Sequence, residues 1–348
     1  MRALVFHGPG SIAVEERPDP VPEAGEVLLR VLATGICGSD VHGYTGENGR
    51  RHPGQVMGHE TVGTVAAGDA ATLAGAGLAI GDTVTVNPVL GCGGCEACAE
   101  GEEQACPRRR VIGVDPTIVS AFADLLVAPA RNVVPLPQDM PSEHGALVEP
   151  LSVGYHAARR GRCSERDRVL VLGGGPIGQA CVLAATRLGA RGVVVSEPNP
   201  ARAALVSGLG ATALDPRDGE LASAAADALG GPATLVLDAV GSTASLADAF
   251  AASARGGRVV LVGMNQPEVT LPAYAISTAE RELIGAFCYN RDDFASTARW
   301  AATVPDALES LVDGSVGWSG APGAFADLAS GTSSASKILV RPDQEEQQ

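Results

Sequence analysis

The chain has 348 residues, 45% of them apolar, with 40 acidic against 25 basic side chains and a formal charge of −15. It is long enough for two domains with ordinary hydrophobic cores, and its acidity disfavours a nucleic-acid partner, whose phosphates need a cationic surface. No apolar run reaches the roughly 20 residues of a membrane span, and the N-terminus enters an alternating pattern without the charged and apolar succession of a signal peptide, so no membrane partner and a cytoplasmic location are expected.

From residue 1 to about 150 the chain shows short β-rich runs broken by Gly and Pro: LVF, EVLLRVLATG, ETVGTVAAG, DTVTVNPV, FADLLVAPA and NVVPLP. This spacing predicts a barrel-like all-β domain. Inside it, TGICGSDVHGY crowds Cys37, Ser39, Asp40 and His42 together, and MGHETVGTV follows with His59 and Glu60. A thiolate, an imidazole and carboxylates are the ligand types of catalytic zinc, although any one of these residues alone is more often structural. The next segment, GCGGCEACAEGEEQACPRRR, places Cys92, Cys95, Cys98 and Cys106 in a C-x2-C-x2-C-x7-C array. Four thiolates in one short loop, with Gly93, Gly94 and Gly101 to let the backbone curl, are read as a structural zinc lobe. Disulfide pairing is the poorer reading for a chain kept in a reducing compartment.

From about 165 to 287 apolar strands alternate with helical stretches: RVLVLGGG, GVVVSEP, TALD, ATLVLDAVG, RVVLVGM and RELIGAF. Such alternation predicts an α/β domain with a doubly wound parallel sheet. After its first strand, Gly173, Gly175 and Gly178 form G-x-G-x-x-G at the mouth of a helix, the context in which that motif holds a dinucleotide pyrophosphate. Glu197 ends the second strand about 20 residues later, where a carboxylate binds the adenosine ribose and repels a 2′-phosphate, so NAD is favoured over NADP. Arg202 is open between a contact over the adenine, a phosphate contact and a solvated helix position.

The remainder, with DDFASTARWAATV and ALESLV, predicts one or two helices, then a strand SKILVRP that returns to the first domain. Lys337, the only lysine in the chain, reads as a solvated residue of that strand, which excludes a lysine Schiff base. His144 reads as a surface residue, and the polar tail PDQEEQQ as frayed.

Taken together, CGSDVH, GHE, the four-cysteine lobe, ALVEPLSVGYHA, VLGGGPIG and RVVLVGM occur in the order of one family, and the chain resembles, along essentially its whole length, the zinc-dependent medium-chain dehydrogenase/reductases, in particular the sorbitol, threonine and butanediol dehydrogenase-like branch. That resemblance implies a GroES-like β-barrel catalytic domain at 1–150, completed by 288–348, and a Rossmann nucleotide-binding domain at 151–287. It implies two zinc ions per chain, a structural one in the lobe and a catalytic one on Cys37 and His59. Glu149 in VEPLSVG falls at the third ligand position, and whether Glu149 or Glu60 contacts the metal stays open, with Asp40 orienting the ligands from outside. The cofactor set it implies is Gly173, Gly175, Pro176, Ile177, Gly178, Glu197, Arg202 and Val240.

The implied reaction is NAD-linked oxidation of a secondary alcohol or polyol to a ketone. Zinc draws the alcohol's pKa down from roughly 16 so that an alkoxide can expel hydride, and Ser39 takes the proton and relays it through the ribose towards His42. Tyr44, Phe122, Phe287 and Tyr289 resemble pocket-lining residues, though aromatic side chains serve equally in a core. Cys288 stands where sorbitol dehydrogenase-like chains carry an arginine, which counts against sorbitol itself. A homodimer or homotetramer is expected. The rival reading is a catalytically silent nucleotide-binding protein of the same fold.

Overall fold

Alternating side chains set the first strands. Arg2–Gly8 (β1) and Ser11–Glu16 (β2) form an antiparallel hairpin. Glu26–Gly35 (β3), which alternates buried and less buried positions along most of its length, pairs antiparallel with Glu60–Gly68 (β4), and β4 pairs in turn with Thr83–Val86 (β5). Val89–Leu90 (β6) and Arg110–Val111 (β7) make a two-stranded ribbon at the base of the cysteine loop. Leu125–Pro129 (β8) pairs with β3, and Val133–Pro135 (β9) with β5. Leu29, Val65, Val84, Ile112 and Leu126 close one core between these strands.

Continuous apolar runs replace the alternation in the second half, as strands covered on both faces require. Arg168–Leu172 (β10), Gly192–Ser196 (β11), Thr212–Leu214 (β12), Ala233–Asp238 (β13), Ser253–Leu261 (β14) and Glu282–Gly285 (β15) form one parallel sheet in the order β12-β11-β10-β13-β14-β15. Strand order reverses between β10 and β13, and in such sheets a dinucleotide binds outside the carboxyl ends at that point.

Gly314–Val316 (β16) and Ile338–Val340 (β17) are parallel to each other, and β17 pairs antiparallel with β3. Between them the helix Ala321–Ser330 inserts Phe325 against Tyr44 and Phe122, at ring-centroid distances of 5.7 and 5.5 Å. The chain accordingly divides into two compact units, Met1–Glu149 with Asn290–Gln348, and Pro150–Tyr289. This is the architecture of a GroES-like domain and a Rossmann sheet.

The computed structural model describes residues 1–47, 49–331 and 335–343, so the tail read as frayed lies outside the described residues from 344 onward. Among the described residues no helix is long and apolar enough to cross a membrane.

Two expectations need correction, and for the aromatic residues one of the two alternatives gains support. His144 is buried, and burial pushes its pKa down; the short helix Ser142–Ala146 turns it inward. Tyr44 and Phe122 belong to the Phe325 core, with the Tyr44 hydroxyl donating to the Gly10 carbonyl at 3.0 Å, and Tyr289 is fully buried. Phe287 alone of the four aromatic residues stays substantially exposed. Lys337 is not solvated either, and its partner belongs to the site below.

Candidate active site

Antiparallel pairing of β3 with β4 brings the first cluster together. Gly35 lies opposite Glu60 in that register, so Cys37, just past the end of β3, faces His59 and Glu60 at the start of β4. Cys37, His59 and Glu60 each offer a ligand atom, and the three atoms lie within 4.8 Å of one another. His59 and Glu60 are buried. Cys37 also caps the helix Gly38–Thr45, and Asp40, in the first turn of that helix, accepts the Cys37 backbone N–H at 3.2 Å.

Asp40 supports the cluster from behind. Its Oδ1 lies 3.6 Å from His59 Nδ1 and 3.7 Å from an Arg51 guanidinium nitrogen. Both distances are too long for hydrogen bonds, and among the described residues neither Oδ1 nor Nδ1 has a hydrogen-bond partner. The ring therefore sets Nδ1 near a carboxylate, on the side from which an imidazole ligand is commonly oriented. Burial pushes the Asp40 carboxyl up, and the charges of His59 and Arg51 only partly offset it. For His59 burial opposes the charged form, yet the Asp40 carboxylate and Cys37 thiolate outweigh it and hold the imidazole well above its usual pKa. A field that favours positive charge here fits a divalent cation on a thiolate, imidazole and carboxylate donor set.

Glu60 has a second partner that the sequence did not reveal. The Lys337 ammonium donates to its two carboxylate oxygens at 2.7 and 2.5 Å and to the Ile36 carbonyl at 3.3 Å. Lys337 is only 3% exposed, because the pairing of β17 with β3 draws the segment inward beside Gly35. Burial alone would lower the ammonium's pKa, but Glu60 and the Cys37 thiolate raise it. Breaking a buried pair of this kind costs about 3–5 kcal/mol. The one available signal was the singularity of the lysine.

Glu149, in the first turn of the helix Val148–Arg160, is buried, and its charge acts on both His59 and Lys337. It stands outside the 4.8 Å group. Ser39 and His42 occupy exposed positions on the helix Gly38–Thr45, with His42 Nδ1 3.5 Å from Glu47.

The second cluster is the cysteine loop. The four sulfurs of Cys92, Cys95, Cys98 and Cys106 lie within 4.8 Å of one another, and all are free thiols. The Gly94 N–H and then the Arg108 guanidinium, 3.2 Å from the Cys92 sulfur, bring that thiol down to about 6. The Cys98 N–H favours the Cys95 thiolate, but burial and three neighbouring sulfurs push it up to about 11. Four sulfurs that cannot all ionise side by side, held without disulfides, suit a tetrahedral zinc that removes their repulsion.

In the second unit β10 runs into Gly173, whose φ of +88° only glycine adopts without strain. The loop leads to the helix Pro176–Arg187, capped by Gly175 with Pro176 and Ile177 in its first turn. A side chain at Gly178 would strike the Gly173 carbonyl, so the close approach of helix to loop depends on that glycine. The buried Glu197 accepts N–H bonds from Gly174 at 2.6 Å and Asn199 at 2.7 Å. Arg202 is partly buried near Gly175, and among the described residues its Nε has no hydrogen-bond partner. Val240 touches the position a Gly173 side chain would take, and its N–H reaches Asp238 at 2.9 Å.

Family comparison agrees with both units. Residues 23–138 match the alcohol dehydrogenase GroES-like domain, and residues 176–303 match the zinc-binding dehydrogenase domain. The chain is 33% identical to a sorbitol dehydrogenase of Bacillus subtilis (strain 168) over 91% of its own length and 87% of the relative's. Its fold is similar to that of an alcohol dehydrogenase of E. coli CFT073 complexed with NADH (TM-score 0.89, 26% identity, 98% and 99% of the two chains). It is similar also to a provisionally assigned zinc-binding dehydrogenase of Sinorhizobium meliloti 1021 bound to NADP (TM-score 0.89, 28% identity, 98% and 99%). The chain belongs to the zinc-dependent medium-chain dehydrogenase/reductase family. Within it, the protein is an oxidoreductase acting on CH–OH groups, of the alcohol and polyol dehydrogenase type.

Proposed function

We propose that the protein oxidises a secondary alcohol of a polyol-like substrate to a ketone, reversibly, with NAD as hydride acceptor. The observation that carries this reading is the gathering of Cys37, His59 and Glu60, backed by Asp40, in the unit that also carries the four-cysteine lobe. Cys37 and His59 would hold the catalytic zinc, with a carboxylate from Glu60 or Glu149 as third ligand; Glu60 is favoured because its oxygen already belongs to the group. Cys92, Cys95, Cys98 and Cys106 would hold the structural ion.

When bound, the catalytic zinc supplies Lewis-acid polarisation of the alcohol oxygen, which makes its proton easier to lose. Asp40 keeps the His59 ring in register, and Ser39 accepts the hydroxyl proton as it releases its own towards His42. His42, exposed beside Glu47, passes that proton to solvent. At the dinucleotide site, the helix Pro176–Arg187 presents its free N–H groups to the pyrophosphate. The Glu197 carboxylate, already oriented by two backbone N–H groups, accepts from the ribose hydroxyls and repels a 2′-phosphate. Arg202 lies against the same loop. A homodimer or homotetramer is part of the proposal and is checked by light scattering.

The test is a panel of secondary alcohols, linear polyols and cyclitols, each offered with NAD and separately with NADP while NADH or NADPH formation is followed at 340 nm. Turnover of secondary alcohols with NAD is expected. Activity confined to primary alcohols, or greater with NADP, would overturn the reading.

A further inference from the structure

We propose that the four-cysteine lobe is a metal-set latch for the segment with which the chain re-enters the first unit. Through Gly101, Glu102 and Glu103 it holds Asn290 and Arg291, and loss of the lobe metal frees the first turn of the helix Arg291–Ala301. The inference rests on the reading of Cys92, Cys95, Cys98 and Cys106 as a structural zinc site.

Lobe residues meet two consecutive residues 188 positions further along the chain. The Gly101 carbonyl accepts the Arg291 N–H at 3.3 Å, a Glu102 oxygen accepts the Asn290 side-chain amide at 2.8 Å, and the Glu103 carboxylate pairs with the Arg291 guanidinium. Asn290 is also the cap of the helix. Its side-chain oxygen accepts the Asp293 N–H at 2.8 Å, and its carbonyl accepts the Phe294 N–H at 3.2 Å. A capping side chain satisfies a backbone donor that the helix itself leaves orphaned, so the lobe grips the residue on which the helix start depends. Just upstream, Cys288 takes a φ of +48°, in the left-handed region that a non-glycine residue holds only where its surroundings over-determine the backbone. A segment pinned two residues later supplies such a constraint.

The latch depends on the metal because the gripping residues lie between two of its ligands. Residues 101–103 fall in the span from Cys98 to Cys106, where the Gly101 N–H donates to the Cys98 carbonyl at 3.3 Å and the Cys106 N–H to the Glu103 carbonyl at 3.0 Å. Glu103 is buried beside the same sulfur: a side chain at Gly91 would come 2.5 Å from Glu103 Cγ and 2.7 Å from Cys98 Sγ. The position of Glu103 is thus tied to that of Cys98. One Glu103 oxygen pairs with Arg291, and the other has no hydrogen-bond partner among the described residues. Arg291 is therefore the counter-charge of a carboxylate withdrawn from water, and such a charge left alone is strongly unfavourable. With the four sulfurs held together by a metal, Glu103 stays where it needs that guanidinium. Without one, sulfurs crowded within 4.8 Å of one another move apart, the carboxylate reaches water, and the need ends. A lobe that stabilised only its own loop would leave the amides of residues 291–294 unaffected.

Amide hydrogen exchange compares zinc-loaded wild type with Cys98→Ser. In the variant, which gives up the lobe metal, exchange at residues 291–294 should rise about tenfold, the scale of losing one hydrogen bond to a charged group, while the strand Arg168–Leu172 of the second unit keeps its protection. Unchanged exchange at 291–294, or a rise that reaches that strand equally, overturns the proposal. Arg291→Gln keeps every cysteine and tests the same coupling from the other side, whether or not Cys98→Ser folds. Coupling is reciprocal, so the chelator concentration that removes half of the lobe metal should fall by about the same tenfold. The lobe metal is followed in cobalt-loaded protein by its thiolate absorption. Glu103→Gln removes the buried charge, so adding Arg291→Gln to it should change metal retention no further. An Arg291→Gln lobe that resists the chelator as wild type does overturns the proposal, as does a further loss in the double variant equal to that of Arg291→Gln alone. A wild type with no metal in the lobe overturns the zinc reading and this inference together, whereas a lobe metal whose loss leaves 291–294 protected defeats this inference alone.

Discussion

Phe325 is one of the residues through which the C-terminal segment packs into the first unit, and Phe325→Ala measures how much that packing contributes. The side chain is fully buried between Tyr44 and Phe122, with rings tilted by 54° and near perpendicular at 81°. Removing a buried phenyl ring costs about 3–5 kcal/mol through lost transfer energy and the cavity left behind, and the two aromatic contacts place this site at the upper end. Both tryptophans of the chain, Trp300 and Trp318, lie in the first unit, and the Trp318 indole donates to Asp124 at 3.1 Å. Tryptophan fluorescence against urea therefore reports that unit without the other. With a slope of about 2–3 kcal/mol per molar urea, the midpoint should fall by about 1–2 M. A change below about 0.3 M would mean that the helix Ala321–Ser330 contributes little there and that residues beyond 290 do not complete the first unit.

Cys98→Ser should release one zinc per chain and expose the loop 92–106 to protease; a variant that keeps its full metal content would remove Cys98 from the lobe. Glu197→Ala removes a charged acceptor worth about 1.5–3 kcal/mol, so the ratio of NAD to NADP efficiency should drop about 10- to 100-fold, and an unchanged ratio would take Glu197 away from the ribose. In the second unit, burial would raise the Asp167 carboxyl, but Thr234, Ser164 and the Arg258 guanidinium hold it below the usual range. A depressed carboxylate stabilises the fold above its unfolded pKa of about 4 and loses that contribution as pH falls through the lower folded value. Asp167→Asn should thus cost about 3 kcal/mol at pH 7, with the difference from wild type narrowing below pH 4 in thermal unfolding followed by circular dichroism. Equal gaps at pH 7 and pH 3 would contradict the assignment.

Features written in neighbouring residues could be read without a structure. The C-x2-C-x2-C-x7-C loop, the glycines 173, 175 and 178 ahead of a helix, and the change from alternating to continuous apolar runs are local spacings, and local spacing is what thiolate geometry, a tight turn and a pleated strand depend on. His59 and Cys37 were legible as ligand types for the same reason.

Distant pairing decided the rest. Alternation marks Ile338–Val340 as a strand but does not name its neighbour, so a charged residue at its start defaults to solvent. Pairing with β3 instead buries Lys337 against Glu60, 277 residues away. The inward turn of His144 and the packing of Phe325 on Tyr44 and Phe122 likewise belong to no local pattern. Residues near in sequence declare their chemistry through spacing, whereas the partner of a buried charge is chosen by which strands meet, and that choice exists only in the folded chain.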